Sequence, residues 1–299
     1  MKLTLKSSRK KRSRQDTVID TVVVLLMALV LAYAMYPLIY IFSNSISDAQ
    51  AVLRHEVWFL PKGFSLNAYM KVFQNGDIGR AYINTCIYAF GGTAYSMLLT
   101  ILGAYPLSRR YLKGRNAFMF MITITMLFNA GMIPTFLVVK NLKIINTAWA
   151  IILPCAISQY NLIIMRTGFS GVPIELEEAA KIDGAGDLRI LVRIMIPLAM
   201  PTIMTIMLFY FIARWNDYYN AMIYLNNQSR YPLQLILREM LLTEKDPSTY
   251  AMFMSGENPT TPFSYRSAII LVSMLPMLVM YPFVQRFFVK GIAIGAVKG

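Results

Sequence analysis

The 299-residue sequence predicts an all-α polytopic membrane protein with six transmembrane helices. Three observations carry that expectation. The composition is 57% hydrophobic and only 15% charged, with a mean hydropathy of +0.50, too apolar for a soluble globular domain. Apolar runs long enough to cross about 30 Å of hydrocarbon recur along the chain. Basic residues collect beside those runs, where the positive-inside rule places cytoplasmic loops. The net charge of +14 therefore reads as a basic surface facing anionic lipid. A nucleic-acid interface is not expected, because aromatic and basic residues do not interleave.

Residues 1–15 form a basic cytoplasmic tail with seven Lys and Arg from Lys2 to Arg14 and no acid, expected to be disordered. The run 18–42 contains Ala32-Tyr33-Ala34, which mimics a signal-peptidase site, yet apolar residues continue past it and predict an uncleaved span. Residues 16–80 thus hold the first helix and an outer loop with Trp58, Pro61, Gly63 and Gly76. Residues 81–288 form a five-helix core with spans at 81–107, 116–139, 148–165, 198–213 and 267–288. In the first of these, Gly91, Gly92, Ser96 and Gly103 favour close helix packing. Arg109, Arg110, Lys113 and Arg115 make an inner basic turn. A long outer segment, 214–265, predicts two short helices near 232–243 and 247–254. The tail 289–299 returns to the cytoplasm, so both termini lie inside.

The spans lack the groups that chemistry or ion coupling requires. Asp20, near the inner end of the first span, is the only acid close to a membrane segment. Proton- and sodium-coupled carriers keep intramembrane carboxylates, and voltage sensors keep arginine arrays. Cys86 and Cys155 lie within apolar runs and His55 stands alone in a loop, so no metal set is predicted. No nucleophile–base pair, paired carboxylates or phosphate-cradling glycine loop is present. The chain is expected to be a transport subunit, not an enzyme, driven by a separate ATPase.

The inner segment 172–201, VPIELEEAAKIDGAGDLRILVRIMIPLAMP, is the most patterned polar stretch. Pro173 suits a first helical position, and Glu175, Glu177 and Glu178 suit the first turns. Leu176, Ala179, Ala180 and Asp183 follow at helical spacing. Gly184 and Gly186 stop the helix and permit a bend. A second short helix over 187–195 places Leu188, Leu191, Val192 and Met195 on one face, with Arg189 and Arg193 off it. Pro197 and Pro201 open the next span. Taken alone, such a segment also suits an ordinary solvated loop.

The order Glu178-Ala179-Ala180, three residues, Gly184, nine residues, Ile194, one residue, Ile196-Pro197 resembles the EAA loop of binding-protein-dependent ABC importer permeases. Asp183, Gly184 and Ala185 are similar to the sugar-importing branch. FNAGMIPT (128–135), INTAWAIILP (145–154), FIARWNDYYNAMIYL (211–225) and GAVKG (295–299) extend the likeness. On these stretches the chain resembles carbohydrate importer permeases of the LplC/YtcP type, within a MalG-like branch. The resemblance implies a type I ABC importer (MetI-like) fold with a cytoplasmic EAA coupling loop in the bacterial cell membrane. It implies a second homologous permease as heterodimer partner, two ATP-binding subunits, and an extracellular or lipid-anchored sugar-binding protein. ATP and Mg would bind those ATPase subunits, with no cofactor on this chain. ATPase coupling would rest on Glu178, Ala179, Ala180, Asp183, Gly184, Leu188, Leu191, Ile194 and Pro197. Leu188 and Leu191 depart from the aromatic residues that related permeases often carry there.

Sugar sites pair aromatic faces with amides and hydroxyls. Tyr210, Trp215, Asn216, Asp217 and Tyr218 are candidates, together with Ser158, Gln159 and Asn161 and with Asn129. Trp215, Tyr218 and Tyr219 suit an interfacial aromatic belt equally well. Asn129, Ser158 and Gln159 also suit hydrogen bonding between helices. The cargo expected is an oligosaccharide. The alternatives are a non-sugar solute such as a peptide carried by the same architecture, or a membrane enzyme acting on lipid-linked sugars.

Overall fold

A computed structural model describes residues 14–128, 130–243, 254 and 259–296. The basic tail up to residue 13, Asn129, nearly all of the expected helix at 247–254 and the last three residues lie outside them. The described residues are almost entirely helical or in turns, and their β pairing is the isolated bridge between Ser47 and Phe64. Contacts divide the chain into two compact units, Met1–Lys71 with Pro247–Leu271 and Val72–Asp246 with Val272–Gly299.

In the first unit, helix α1 (Arg14–Ser45) runs without interruption through the first apolar stretch. Its Val18-to-Leu31 apolar side chains are all exposed, the state expected of a helix whose partner is lipid. Its end is fastened by short polar contacts. Ser43 donates to the Phe59 carbonyl at 2.7 Å, and Ser47 donates to the Ser43 carbonyl at 2.5 Å. Asp48 accepts from the Gln50 amide and so caps α2 (Ala49–Leu53). Tyr36 packs on Phe59 and Tyr40 on Phe263.

The second unit contains the rest of α3 (Asn67–Gln74), then α4 (Gly76–Cys86), a π-helical turn (Ile87–Gly91) and α5 (Gly92–Ser108). These last three form one continuous helix of 33 residues. Then come α6 (Arg115–Leu127), α7 (Met132–Asn141), α8 (Ala148–Ile152) and α9 (Gln159–Ser170). The inner segment contributes α10 (Ile174–Ile182), α11 (Asp187–Ile190), a second π-helical turn (Leu191–Met195) and α12 (Ile196–Leu198). Helices α13 (Met200–Trp215), α14 (Tyr219–Tyr224) and α15 (Leu233–Thr243) follow. The final α16 (Pro262–Ala296) begins in the first unit and ends in the second.

Among the described residues, three stretches are long and apolar enough to cross a membrane alone: Gln15–Ser45, Gly76–Ser108 and Pro262–Pro282. Two of the expected spans are not single helices. The run at 116–139 breaks where Phe128 is extended and Gly131 takes φ +85°, a left-handed value that suits glycine. The run at 148–165 breaks after Ile152, and Ser158 starts α9 afresh by accepting from the Asn161 amide. Pro154 inside that gap has no N–H to continue a helix. A third bend, of 85°, separates the Asp187–Leu198 piece from α13. Pro201 cannot donate to the residue 197 carbonyl there, which removes one of the helical hydrogen bonds at the bend. In the segment 214–265 the helix at Leu233–Thr243 is present as expected, and α14 is additional.

The main apolar core of the second unit joins α5, α9, the inner segment and α13. Met97, Tyr105, Leu162, Met165, Phe169, Ile190, Leu191, Met195, Ile203, Ile206 and Tyr210 pack in one cluster. Two helices approach closely where α9 passes α13. A Cβ at Gly168 would stand 2.9 Å from the Thr202 Cβ and 2.7 Å from its γ atoms. Threonine is branched at Cβ and cannot swing clear without shifting its backbone. Gly168→Val is therefore expected to destabilise the protein by about 1–3 kcal/mol, read by thermal unfolding in detergent. Thr202→Ala in the same chain should restore part of the loss.

Candidate functional site: the inner segment and the end of the fifth helix

Helix α10 starts one residue later than the sequence suggests, with Pro173 as its extended flanking residue. The carboxylates divide sharply. Glu175 and Glu178 are exposed, whereas Glu177 is 2% exposed. Its Oε2 accepts from Arg109 Nη1 at 2.6 Å, and its Oε1 accepts from Lys181 Nζ at 2.7 Å and from the Tyr111 hydroxyl at 3.0 Å. Arg109 is itself 4% exposed and spends its other donors on the Phe169 carbonyl at 2.8 Å and Ser108 Oγ at 2.9 Å. The guanidinium lies 5.6 Å from the Tyr105 ring centre. One ion pair thus ties the end of α5, the end of α9 and the start of α10.

Burial pushes the Glu177 carboxyl upward, but the Lys181 and Tyr111 hydrogen bonds and the Arg109 charge outweigh it. The group settles below the usual carboxylate range. The Glu177 hydrogen bond raises Lys181 above the ordinary lysine value. Burial, followed by the Glu177 hydrogen bond, raises Tyr111.

The other expected coupling residues take different places. Glu178, Ala179 and Asp183 are exposed, and Ala180 packs against the core from a half-buried position. Gly184 has φ +76°, and nothing lies within 4 Å of where its Cβ would stand. Glycine is needed there for the backbone and not for space. Leu188 is 70% exposed, but Leu191 is 4% exposed and belongs to the core. Three positions apart, Leu188 faces out and Leu191 faces in, so the two do not share an outer face. Ile194 is half-buried and Pro197 exposed. Ile174, Leu176, Ile182, Leu188 and Val192 leave an exposed apolar surface along α10 and α11.

The sugar candidates separate into two groups. Asn216, Asp217 and Tyr218 stand together past the end of α13. Asp217 accepts from the Asn220 side chain at 2.8 and 3.0 Å, and Tyr218 is 42% exposed beneath the Arg238 guanidinium. Tyr210 and Ser158 meet deeper, where the Ser158 amide donates to the Tyr210 hydroxyl at 3.0 Å and Thr100 Oγ1 lies 2.8 Å from it. Asn161 is buried and Gln159 half-buried. Trp215 serves neither expected role. It is 2% exposed, stacks on Phe211, meets Tyr82 edge-on and donates Nε1 to the Ser273 carbonyl at 3.0 Å. It lies in a core cluster with Ala89 and Phe211, as the last residue of α13, which continues past Ala213. Asn129 lies outside the described residues.

Arg214, which the sequence places at the start of the long outer segment, is instead buried inside the unit. It is 5% exposed, and its guanidinium donates to the carbonyls of Ile151, Ile152 and Cys155 at 2.8, 3.1 and 2.5 Å. It has no ion-pair partner among the described residues. The carbonyls at the end of α8 carry the negative end of the helix dipole and replace a carboxylate. Gly92 makes room for it, since a Cβ there would be 3.3 Å from Arg214 Nε. The glycine pair with Ser96 beside an arginine at the end of an apolar run was the available signal.

Glu177→Ala strands the buried Arg109 charge and is expected to cost about 3–5 kcal/mol of stability. The carboxylate's contribution is present above the ordinary value near ~4.3 and is lost as pH falls through its lowered folded value. Thermal unfolding in detergent should show the wild type losing stability below about pH 4, and Glu177→Gln losing less over the same range.

The chain matches the family described as "Binding-protein-dependent transport system inner membrane component" over residues 4–294. It is 41% identical over 263 residues to the polygalacturonan/rhamnogalacturonan transport system permease protein YtcP of Bacillus subtilis (strain 168), covering 88% of this chain and 92% of that protein. It is 38% identical to Protein LplC of the same organism, covering 96% of this chain and 97% of that protein. A chain in the crystal structure of a bacterial ABC transporter involved in the import of the acidic polysaccharide alginate superposes with a TM-score of 0.88 at 36% identity. That match covers 93% of this chain and 99% of the other. These permeases are transport components, not catalysts. With the fold, the broken helices and the inner segment in place, the chain belongs to the inner-membrane permeases of binding-protein-dependent ABC importers.

Proposed function

We propose that this permease imports an oligosaccharide, forming half of a translocation pathway and receiving its drive through α10 and α11. The observation that carries the cargo is the 41% identity, over most of both chains, to a permease named for polygalacturonan and rhamnogalacturonan. The alginate importer is a second relative named for an acidic polysaccharide. In this reading α1, the α4–α5 helix, the α6–α7 pair, the α8–α9 pair, α13 and α16 make six crossings. The basic turn at Arg109 to Arg115 and both termini face the cytoplasm. A second homologous permease completes the pathway, two ATPase subunits bind ATP and Mg, and an external sugar-binding protein delivers cargo.

The exposed apolar surface of Ile174, Leu176, Ile182, Leu188 and Val192 supports docking of an ATPase against α10 and α11. Glu178 at the outer side of α10 would meet a basic group of that partner. Movement of α10 then pulls on Glu177, and through Arg109 on the ends of α5 and α9. Because α5 packs against α9 and α13 in one core, a shift at its end becomes a rearrangement of packed helices between two arrangements. Sugar contacts in this reading are Asn216, Asp217 and Tyr218, with Tyr210 and Ser158 holding the wall behind them.

Glu178→Lys is expected to reduce uptake and substrate-stimulated ATP hydrolysis at least about tenfold by placing like charges together, with membrane insertion unchanged. Gly184→Val should act in the same direction, and Gly184→Asn less so. Asparagine tolerates left-handed backbone, whereas valine is strained by about 1–2 kcal/mol. Transport surviving both Glu178→Lys and Gly184→Val would sink the coupling reading. For the cargo, calorimetric titration of the cognate binding protein with galacturonan, alginate and neutral oligosaccharides should give heat with a sugar, whereas binding of peptides alone would overturn it.

A further inference from the structure

We propose that the cavity between the 109–115 turn and the start of α10 is a binding site for a phosphate group. It has a volume of about 570 Å³, and Arg109, Arg110, Arg115 and Arg166 line it with Ser170 and Glu175. Arg109 is committed to Glu177, which leaves three guanidinium groups facing one lining carboxylate. Arg110 and Arg115 form no ion pair among the described residues, and both also line the adjoining cavity. Arg115 Nε is buried with no hydrogen-bond partner. A buried donor without an acceptor is unfavourable until something supplies one. Arg166 turns its Nε to the Leu107 carbonyl at 3.3 Å, which holds the arginine in the wall.

A phosphate answers the excess of guanidinium groups in this lining. Its oxygens accept the paired donors of a guanidinium, and arginine in place of lysine is the residue suited to that bidentate contact. The turn joins α5 to α6, two apolar helices, and so lies at the level of lipid headgroups. Basic pockets between membrane helices there take acidic headgroups. Ile174, 39% exposed, lines the same cavity and offers apolar surface to the glycerol and first acyl carbons. An anionic phospholipid is therefore the abundant source of the phosphate, and free phosphate the other. The site rests on the membrane-permease assignment and not on the coupling or cargo readings.

The test uses the full chain with the subunits that copurify with it, exchanged from mixed lipid into detergent. Phosphatidylglycerol and phosphatidylcholine retained are counted by mass spectrometry. Wild type and Lys113→Gln, the latter from the same turn but outside the lining, should retain phosphatidylglycerol selectively. Each of Arg110→Gln and Arg115→Gln is expected to weaken retention about fivefold, and the pair about 25-fold. The single variants serve where the double variant does not assemble on size-exclusion chromatography. A second arm adds inorganic phosphate without lipid. Selective protection of the wild type against unfolding there, with no phosphatidylglycerol retained, assigns the site to free phosphate. Equal behaviour of wild type and arginine variants in both arms overturns the proposal.

Discussion

The pairing of Arg109 with Glu177 is the constraint on which the packing of α10 against α5 and α9 depends. Two charges have been withdrawn from water, and neither can be left alone there without a penalty of several kcal/mol. Glu177 accepts from three donors, and Arg109 donates to a carboxylate, a hydroxyl and a backbone carbonyl. Apolar contacts alone would hold α10 against the core while letting it slide. A network of directed hydrogen bonds in a low-dielectric setting fixes its position as well. The short helix is thereby attached rigidly to the long one.

Arg214 performs a related task elsewhere in the second unit, and the two arginines explain how a broken helix can sit in an apolar core. The chain between α8 and α9 abandons its helical hydrogen bonds where water is scarce, and free carbonyls are tolerated only if other groups satisfy them. Arg214 takes three carbonyls around the break, Tyr210 accepts the Ser158 amide, and Arg109 takes the Phe169 carbonyl at the far end of α9. Each comes from a neighbouring helix. The break is thus a property of the packed unit, maintained by side chains distant in sequence.

That distance explains what could be read beforehand. The long apolar runs, the basic turn, the helix at 233–243 and the bend at Gly184 follow from local pattern, and all are legible in the residue order. The 128–131 break and the 153–158 break were not, because an apolar run looks alike whether it is one helix or two, and Pro154 alone is compatible with a kink. Within the inner segment, three glutamates in four positions look equivalent on paper. Only the position of Arg109, 68 residues earlier, decides that Glu177 turns inward while Glu178 faces out. Trp215 misled for a similar reason. An aromatic at a helix end suits a headgroup belt, and its burial depends on Tyr82, Phe211 and α16, which pattern does not place.

The π-helical turns at Ile87–Gly91 and Leu191–Met195 have a mechanical meaning. Such a turn stores one residue more than an α-helical turn uses, and that surplus belongs to no fixed position. Were it to migrate or be expelled, everything beyond would advance by about 1.5 Å and rotate by about 100°. One turn sits midway along the Gly76–Ser108 helix, and the other lies within the inner segment between α11 and α12. Each π-helical turn thus gives the helix beyond it an azimuth that an unbroken α-helix of the same residues would not have.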